Sequence, residues 1–213
     1  MFDLGRRAGR FLLPGLVLLA LTACSTRIHL PDDTGLSRAK PSDWHEREKA
    51  LRAFDEWELI GKIAVRQADQ SQSAIINRWS QQSDAYHLQL SSAFLGMGSV
   101  ELMGDRHQLL IRTADGESYV SDDPEALVRE VTGWRLPLAV LPYWVRGIPA
   151  PGQPSALGFG DQDTLKMLTQ AGWDVYFERY SEPTERRPAL PRLITATNGD
   201  ARVRLAISRW QSQ

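Results

Sequence analysis

The chain has 213 residues, a formal net charge of −1, 42% hydrophobic and 24% charged residues. A near-neutral balance with no run of Lys or Arg excludes the phosphate-gripping surface of a nucleic-acid binder, and a single cysteine excludes a disulfide framework or a cysteine-rich metal site. Seven tryptophans is a high count for this length, and so many large amphipathic rings point to an apolar ligand cavity as well as to a core.

At the N-terminus, Arg6, Arg7 and Arg10 precede the apolar stretch FLLPGLVLLALTA, too short and too abruptly ended to span a bilayer as a helix. Residues 1–23 are therefore expected to be a signal peptide. Leu21-Thr22-Ala23-Cys24 resembles a bacterial lipobox, which implies cleavage before Cys24, a diacylglyceryl thioether on its sulfur and a third acyl chain on the new N-terminus. Each acyl CH2 buried in a membrane contributes about 0.8 kcal/mol, and more than one chain makes the anchor stable. Ser25 occupies the place where aspartate retains such proteins in the inner membrane, so the resemblance favours the outer membrane. Residues 24–42 carry Pro, Asp, Ser and Gly without apolar periodicity and are expected to form a lipidated, flexible tether. Residues 43–213, about 170 in all, suffice for a single domain with a sizeable core.

Residues 43–57 predict a helix, with Asp43 as N-cap and Glu46 in capping-box position. Alternation then places Trp57, Leu59, Ile63 and Val65 on one face of a strand, and residues 73–81, 84–90, 99–104, 107–113 and 117–121 continue the period-two pattern. Between two of these strands lies the connection Ala93 to Gly98, which carries Phe94, Leu95 and Met97 where turns are usually polar. Asp123-Pro124-Glu125 starts a second helix that ends on Gly133. A third is expected from Pro137 to Gly147, which Pro142 kinks or shortens, and 148–160 is expected to be loop. Strands resume at 164–170, 173–180, 192–197 and 201–210, turning at Ala171-Gly172 and Asn198-Gly199. A meander of roughly eight to eleven strands must hide an apolar face, by curling into a barrel or by taking helices as a cover.

No catalytic constellation emerges. His29, His45, His87 and His107 have no metal-ligand spacing, and nucleophile-elbow, Walker and His-Glu-x-x-His motifs are lacking. Asp122 and Asp123 are explained as helix caps. No metal, cofactor or catalytic residue is expected.

The LTAC lipobox, the tryptophan-bearing helix, GKIAV, the RW strand followed by Tyr86-x-Leu88-x-Leu90, FLGMG opening onto a Val-Glu-Leu strand, VTG before Pro137-Leu138, YWVRGIPAPG, AGW and the closing ISRW together resemble the LolB family of outer-membrane lipoprotein receptors. One departure is Phe94, which stands where the family pattern has proline. The resemblance spans essentially the whole chain. It implies a mainly β fold, an incomplete (half-open) antiparallel β-barrel of about eleven strands covered by about three helices and enclosing a hydrophobic cavity. It also implies a job without cofactor or enzymatic step: accepting acylated lipoproteins from the periplasmic carrier LolA and inserting them into the inner leaflet of the outer membrane. The protein is then expected to be a monomer facing the periplasm, with lipids and cargo as partners. Ile63, Trp79, Leu88, Leu90, Leu102, Trp144 and Trp173 are the candidates for lining the acyl-chain cavity, and Phe94, Leu95 and Met97 for a membrane-insertion loop. Two alternatives stand beside this: a scaffold lipoprotein with a filled core, and a lipid hydrolase in which Ser99 or Tyr86 would be the first residues to examine.

Overall fold

The computed structural model describes residues 35–68, 70–92, 98–185 and 187–212. Helix α1 (Trp44–Ala53) leads into β1 (Glu56–Gln67), β2 (Gln70–Gln82), β3 (Ala85–Ser92), β4 (Gly98–Gly104), β5 (Leu109–Thr113) and β6 (Ser118–Ser121). Helices α2 (Pro124–Thr132) and α3 (Leu141–Trp144) follow, and then β7 (Ser155–Phe159), β8 (Leu165–Gln170), β9 (Trp173–Tyr180), β10 (Pro191–Asn198) and β11 (Ala201–Ser212).

All eleven strands form one sheet in the order β6-β5-β4-β3-β2-β1-β11-β10-β9-β8-β7. Neighbouring strands are antiparallel throughout, and the seam pairs the first strand with the last, from Trp57 opposite Ser212 to Arg66 opposite Arg202. Strands β6 and β7 end the order without pairing each other, so the barrel stays open. Within the seam, Gly61 sits at register irregularities toward both neighbours, β11 and β2. A Cβ there would lie 3.2 Å from the Ile207 Cα and closer still to the Ala206 carbonyl, so only glycine lets the strands approach where the sheet bends.

Alternation works as expected on β1: Trp57, Leu59, Ile63 and Val65 are all buried. They join residues of β2 to β5, β7 to β11 and all three helices in one apolar cluster. In its middle, Trp57 meets Trp79 and Trp210 edge-on, each at 5.3 Å between ring centroids. Among the described residues no helix is long and apolar enough to cross a membrane.

Three local expectations are corrected and a fourth is narrowed. The Asp43 side chain makes no capping bond; it takes two hydrogen bonds from Arg47 Nη2, at 2.8 and 2.6 Å, which hold its pKa below the ordinary carboxylate value. Helix α3 has four residues only, shorter than the stretch from Pro137 to Gly147: of the two effects expected of Pro142, shortening is the one seen, with the proline in the first turn, where its missing N–H costs no bond. Residues 155–159, expected as loop, form β7, an edge strand whose Pro- and Gly-rich approach hid its alternation. Finally, the tether expected to run to residue 42 is already engaged at Ser37, whose N–H and C=O each bond Phe159 at 2.8 Å and so cover part of the β7 edge.

Candidate functional site

Cross-strand register lines up the buried face in rungs. Leu59, Trp79, Leu88, Leu102 and Ile111 sit opposite one another across β1 to β5, and the next rung runs Gly61, Ile76, Leu90, Val100 and Thr113. Ile63 and Ala74 form a third. Over these rungs lie α2 and the segment from Trp134 to Pro142.

Helix α2 starts where proline and acid placed it: Asp123 accepts from the Ala126 N–H at 3.0 Å, and Gly133 closes the helix with φ +75°. Its buried residues, Leu127, Val128 and Thr132, point at the sheet. Past the helix, Trp134 Nε1 donates to Gln72 Oε1 at 2.7 Å and fastens the cover to β2.

Between cover and sheet the packing is incomplete. An apolar hollow of about 50 Å³ remains, walled on the sheet side by Ile63, Ile76, Trp79, Tyr86, Leu88, Leu90 and Leu102 and on the cover side by Val128, Thr132, Trp134, Leu136, Leu138, Leu141 and Pro142. Five of the seven residues singled out from the sequence are thus brought together, because alternation, and for Trp79 the irregularity between Ile76 and Arg78, put them on one face. Trp144 and Trp173 lie elsewhere. Trp144 is buried in the β7 to β11 half, where its Nε1 donates to Gln170 Oε1 at 3.0 Å and its ring tilts against Trp173 at 6.4 Å. Gln170 also clasps Ala150 through both backbone groups, at 2.8 and 2.9 Å, so the Trp144 indole N–H and the Gln170 amide are satisfied there. The cover residues were missed, although α2 carried a signal: Val128 and Thr132 are four apart on its inner face.

The loop residues Phe94, Leu95 and Met97 and the lipobox Cys24 lie outside the described residues. Strands β3 and β4 nonetheless pair up to Ser92 and Gly98, on either side of that stretch in the sequence. Beside the end of that pairing, Ile75 pairs with Ser91 and is 54% exposed, an aliphatic side chain turned to solvent.

Of the groups weighed for chemistry, Tyr86 lines the hollow, while His87 and Ser99 lie off it. His87 Nε2 lies 2.6 Å from Glu101 Oε1 on the opposite face of the sheet, and hydrogen bonds from Gln89 and His87 hold the Glu101 pKa below its usual value. Ser99 is exposed on β4 and does not line the hollow. What the hollow offers is hydrocarbon surface under a cover held by few polar bonds.

An open antiparallel barrel with an apolar hollow under a helical cover defines a class of protein able to shelter an apolar ligand from water. Sequence comparison makes the class specific. The family profile described as outer membrane lipoprotein LolB matches residues 55–210. An outer-membrane lipoprotein LolB of Marinobacter nauticus is 46% identical over 203 residues, covering 94% of this chain and 98% of its own. One from Alkalilimnicola ehrlichii is 35% identical over 205 residues, covering 96% and 98%. The chain belongs to the LolB family. Among solved structures, a DUF1329 family protein from Desulfovibrio piger superposes with a TM-score of 0.53 at 5% identity, covering 82% of this chain and 94% of that one, a likeness of fold alone.

Proposed function

We propose that this protein is an outer-membrane-anchored receptor that takes acylated lipoproteins from the periplasmic carrier LolA and inserts them into the inner leaflet of the outer membrane, acting as a monomer on the periplasmic side. The observation that carries this reading is the apolar hollow between β1 to β4 and the α2 cover, in a chain whose relatives bear the name outer-membrane lipoprotein LolB. A scaffold lipoprotein has no use for such a hollow. Cys24, triacylated, supplies the anchor, and residues 25–36 the reach.

The energetics favour transfer from one apolar shelter to another. Every CH2 exposed on the way costs about 0.8 kcal/mol, so the chains must not pass through water. A grip only 1.4 kcal/mol tighter than the carrier's biases the partition about tenfold, which makes nucleotide hydrolysis unnecessary at this step.

The closed hollow is small. At about 50 Å³ it has room for roughly four groups of water size, each needing ~10–15 Å³. An acyl chain of a dozen or more methylenes therefore enters only as the cover lifts. Cover and sheet are joined mainly by apolar contact, with Trp134 to Gln72 as a polar latch at one end, so lifting exposes surface that the incoming chains cover again.

Native mass spectrometry after mild extraction tests the reading: the protein should carry acylated protein or lipid. A chain that emerges empty under conditions where the carrier emerges loaded would overturn it. For the insertion step, Leu95→Glu should leave cargo binding intact and slow delivery to outer-membrane vesicles several-fold. Burying a leucine contributes about 1.5–3 kcal/mol, enough to orient a mouth against a bilayer to which Cys24 already holds the protein. Delivery at the wild-type rate in a reconstituted transfer assay would remove the loop from the mechanism.

A further inference from the structure

One rung beyond Trp79 and Leu88, the face that lines the hollow changes character. Gln81 sits opposite Tyr86, and Tyr86 opposite Gly104. Tyr86, Leu138 and Pro142 wall the apolar hollow on one side and a second cavity of about 220 Å³ on the other. The second cavity is mixed: Gln81, Ser83, Asp84, Asp105, Arg106 and Glu125 bring polar and charged groups to a wall otherwise formed by apolar side chains such as Leu138 and Pro142. The two spaces adjoin across that shared wall, one wholly apolar and one offering polar groups as well, with the Gln81–Tyr86 rung at their boundary.

That rung contains two groups without hydrogen-bond partners. Gln81 is only 2% exposed; its Nε2 donates to the Ser83 carbonyl at 2.8 Å, but its Oε1 is buried and unmatched. The Tyr86 hydroxyl is likewise buried and unmatched. Burial, with the nearby Asp105 charge adding to it, pushes the phenol pKa up to about 12, so the group keeps its proton and remains a donor. Gly104 leaves it room, since a Cβ there would stand 3.1 Å from Tyr86 Oη. Buried polar groups without partners are rare because they are costly. A surface meant for hydrocarbon alone would be served better by leucine and phenylalanine at these two places.

We infer that the Gln81–Tyr86 rung is the subsite for the polar linkage of the lipid, with the Tyr86 hydroxyl donating to an ester carbonyl of the diacylglyceryl group and Gln81 Oε1 accepting from the amide N–H of the acylated cysteine. This rests on the receptor reading given above. It gives the cargo a direction: the head and peptide lie in the 220 Å³ cavity, and the tails run past Leu88 and Leu90 toward the end of β3 that leads to residues 93–97. The chains then leave the protein tail-first at the end that carries the apolar connection.

The test uses two lipopeptides and one isosteric variant. The chain from residue 25 onward, which contains every described residue, is titrated with a cysteinyl peptide bearing a diacylglyceryl thioether and with its dialkyl ether counterpart, which lacks the ester carbonyls. Wild type should bind the ester about three- to tenfold more tightly, the span of one hydrogen bond, and Tyr86→Phe should abolish that preference, read as the ratio of the two affinities in the same variant. Without ligand, Tyr86→Phe should unfold at the same or a higher denaturant concentration, because it removes an unmatched hydroxyl. An ester preference that survives in Tyr86→Phe, or a clear loss of stability in the empty variant, overturns the inference. If wild type binds both lipopeptides equally, the inference fails and the receptor reading survives. If it binds neither, both fail.

Discussion

Arg146→Met is expected to cost about 3–5 kcal/mol of folding stability, a large part of the ~5–15 kcal/mol available to a domain of this kind. Arg146 is 5% exposed, and its guanidinium holds no simple surface pair. Nη1 donates to the carbonyls of Leu51, Arg52 and Phe54 at 3.2, 3.3 and 3.0 Å, and Nε to that of Pro142 at 2.9 Å. The first three are carbonyls at the C-terminal end of α1, which have no intrahelical donor and attract a cation. One side chain thus closes α1, ties it to the segment around α3 and sits 5.2 Å over the Tyr143 ring. Bonds from a charged donor contribute about 1.5–3 kcal/mol each and an abandoned buried carbonyl costs about 1–3, offset in part by no longer burying a charge. Burial pushes the Arg146 pKa below the usual guanidinium value, a sign of that cost. Arg146→Lys should recover only a fraction, since an ammonium cannot fork to carbonyls on two segments. Urea unfolding at constant m-value is the measurement, and a Met variant with an unshifted midpoint would show that α1 is held by its apolar face alone.

Leu88→Trp is expected to do the reverse, leaving the fold intact while weakening acylated-lipopeptide binding more than tenfold, that is by over ~1.4 kcal/mol. Leu88 is half-buried, lines the hollow and packs between Trp79 and Leu102 on its rung. A larger ring fits into space that is otherwise unfilled, so it gains contacts instead of straining a packed core. Stability should be equal or higher, and the loss should appear only with ligand, the usual trade between a filled site and a working one. The same change at a residue with no exposed surface that lines no cavity described above, for instance Leu168→Trp, should destabilise the protein by overpacking. A Leu88→Trp variant that binds lipopeptide like wild type would show that acyl chains lodge somewhere else.

Several of these features are legible in the amino-acid sequence. The period of two places Ile63, Leu88, Leu90 and Leu102 inward, whereas Trp79 joins Ile76 on that face through the irregularity between Ile76 and Arg78; proline and glycine mark both ends of α2. Gln81 shares the inward parity of Trp79, and Tyr86 that of Leu88, so the polar boundary is written there too, as an amide and a phenol on a face otherwise given to aliphatic and indole groups. Sequence does not single it out, because one inward polar residue, taken alone, is indistinguishable from a satisfied core group. Edge strand β7 escapes for a different reason: five residues behind a Pro-rich approach give too few alternations to count.

Local sequence therefore determined most of the strands, the inward face of regular ones such as β3 and β4, and where α2 begins and ends. Only the tertiary structure decided that the sheet closes through β1 and β11 yet stays open between β6 and β7, and that the wholly apolar hollow lies under α2 against β1 to β4 while Trp144 and Trp173 pack together on the other side. The reason is physical. Alternation is a property of one strand and its two faces, whereas a cavity is a shortfall of volume among many elements, set by how far α2 and the residues from Trp134 to Pro142 stand off the sheet.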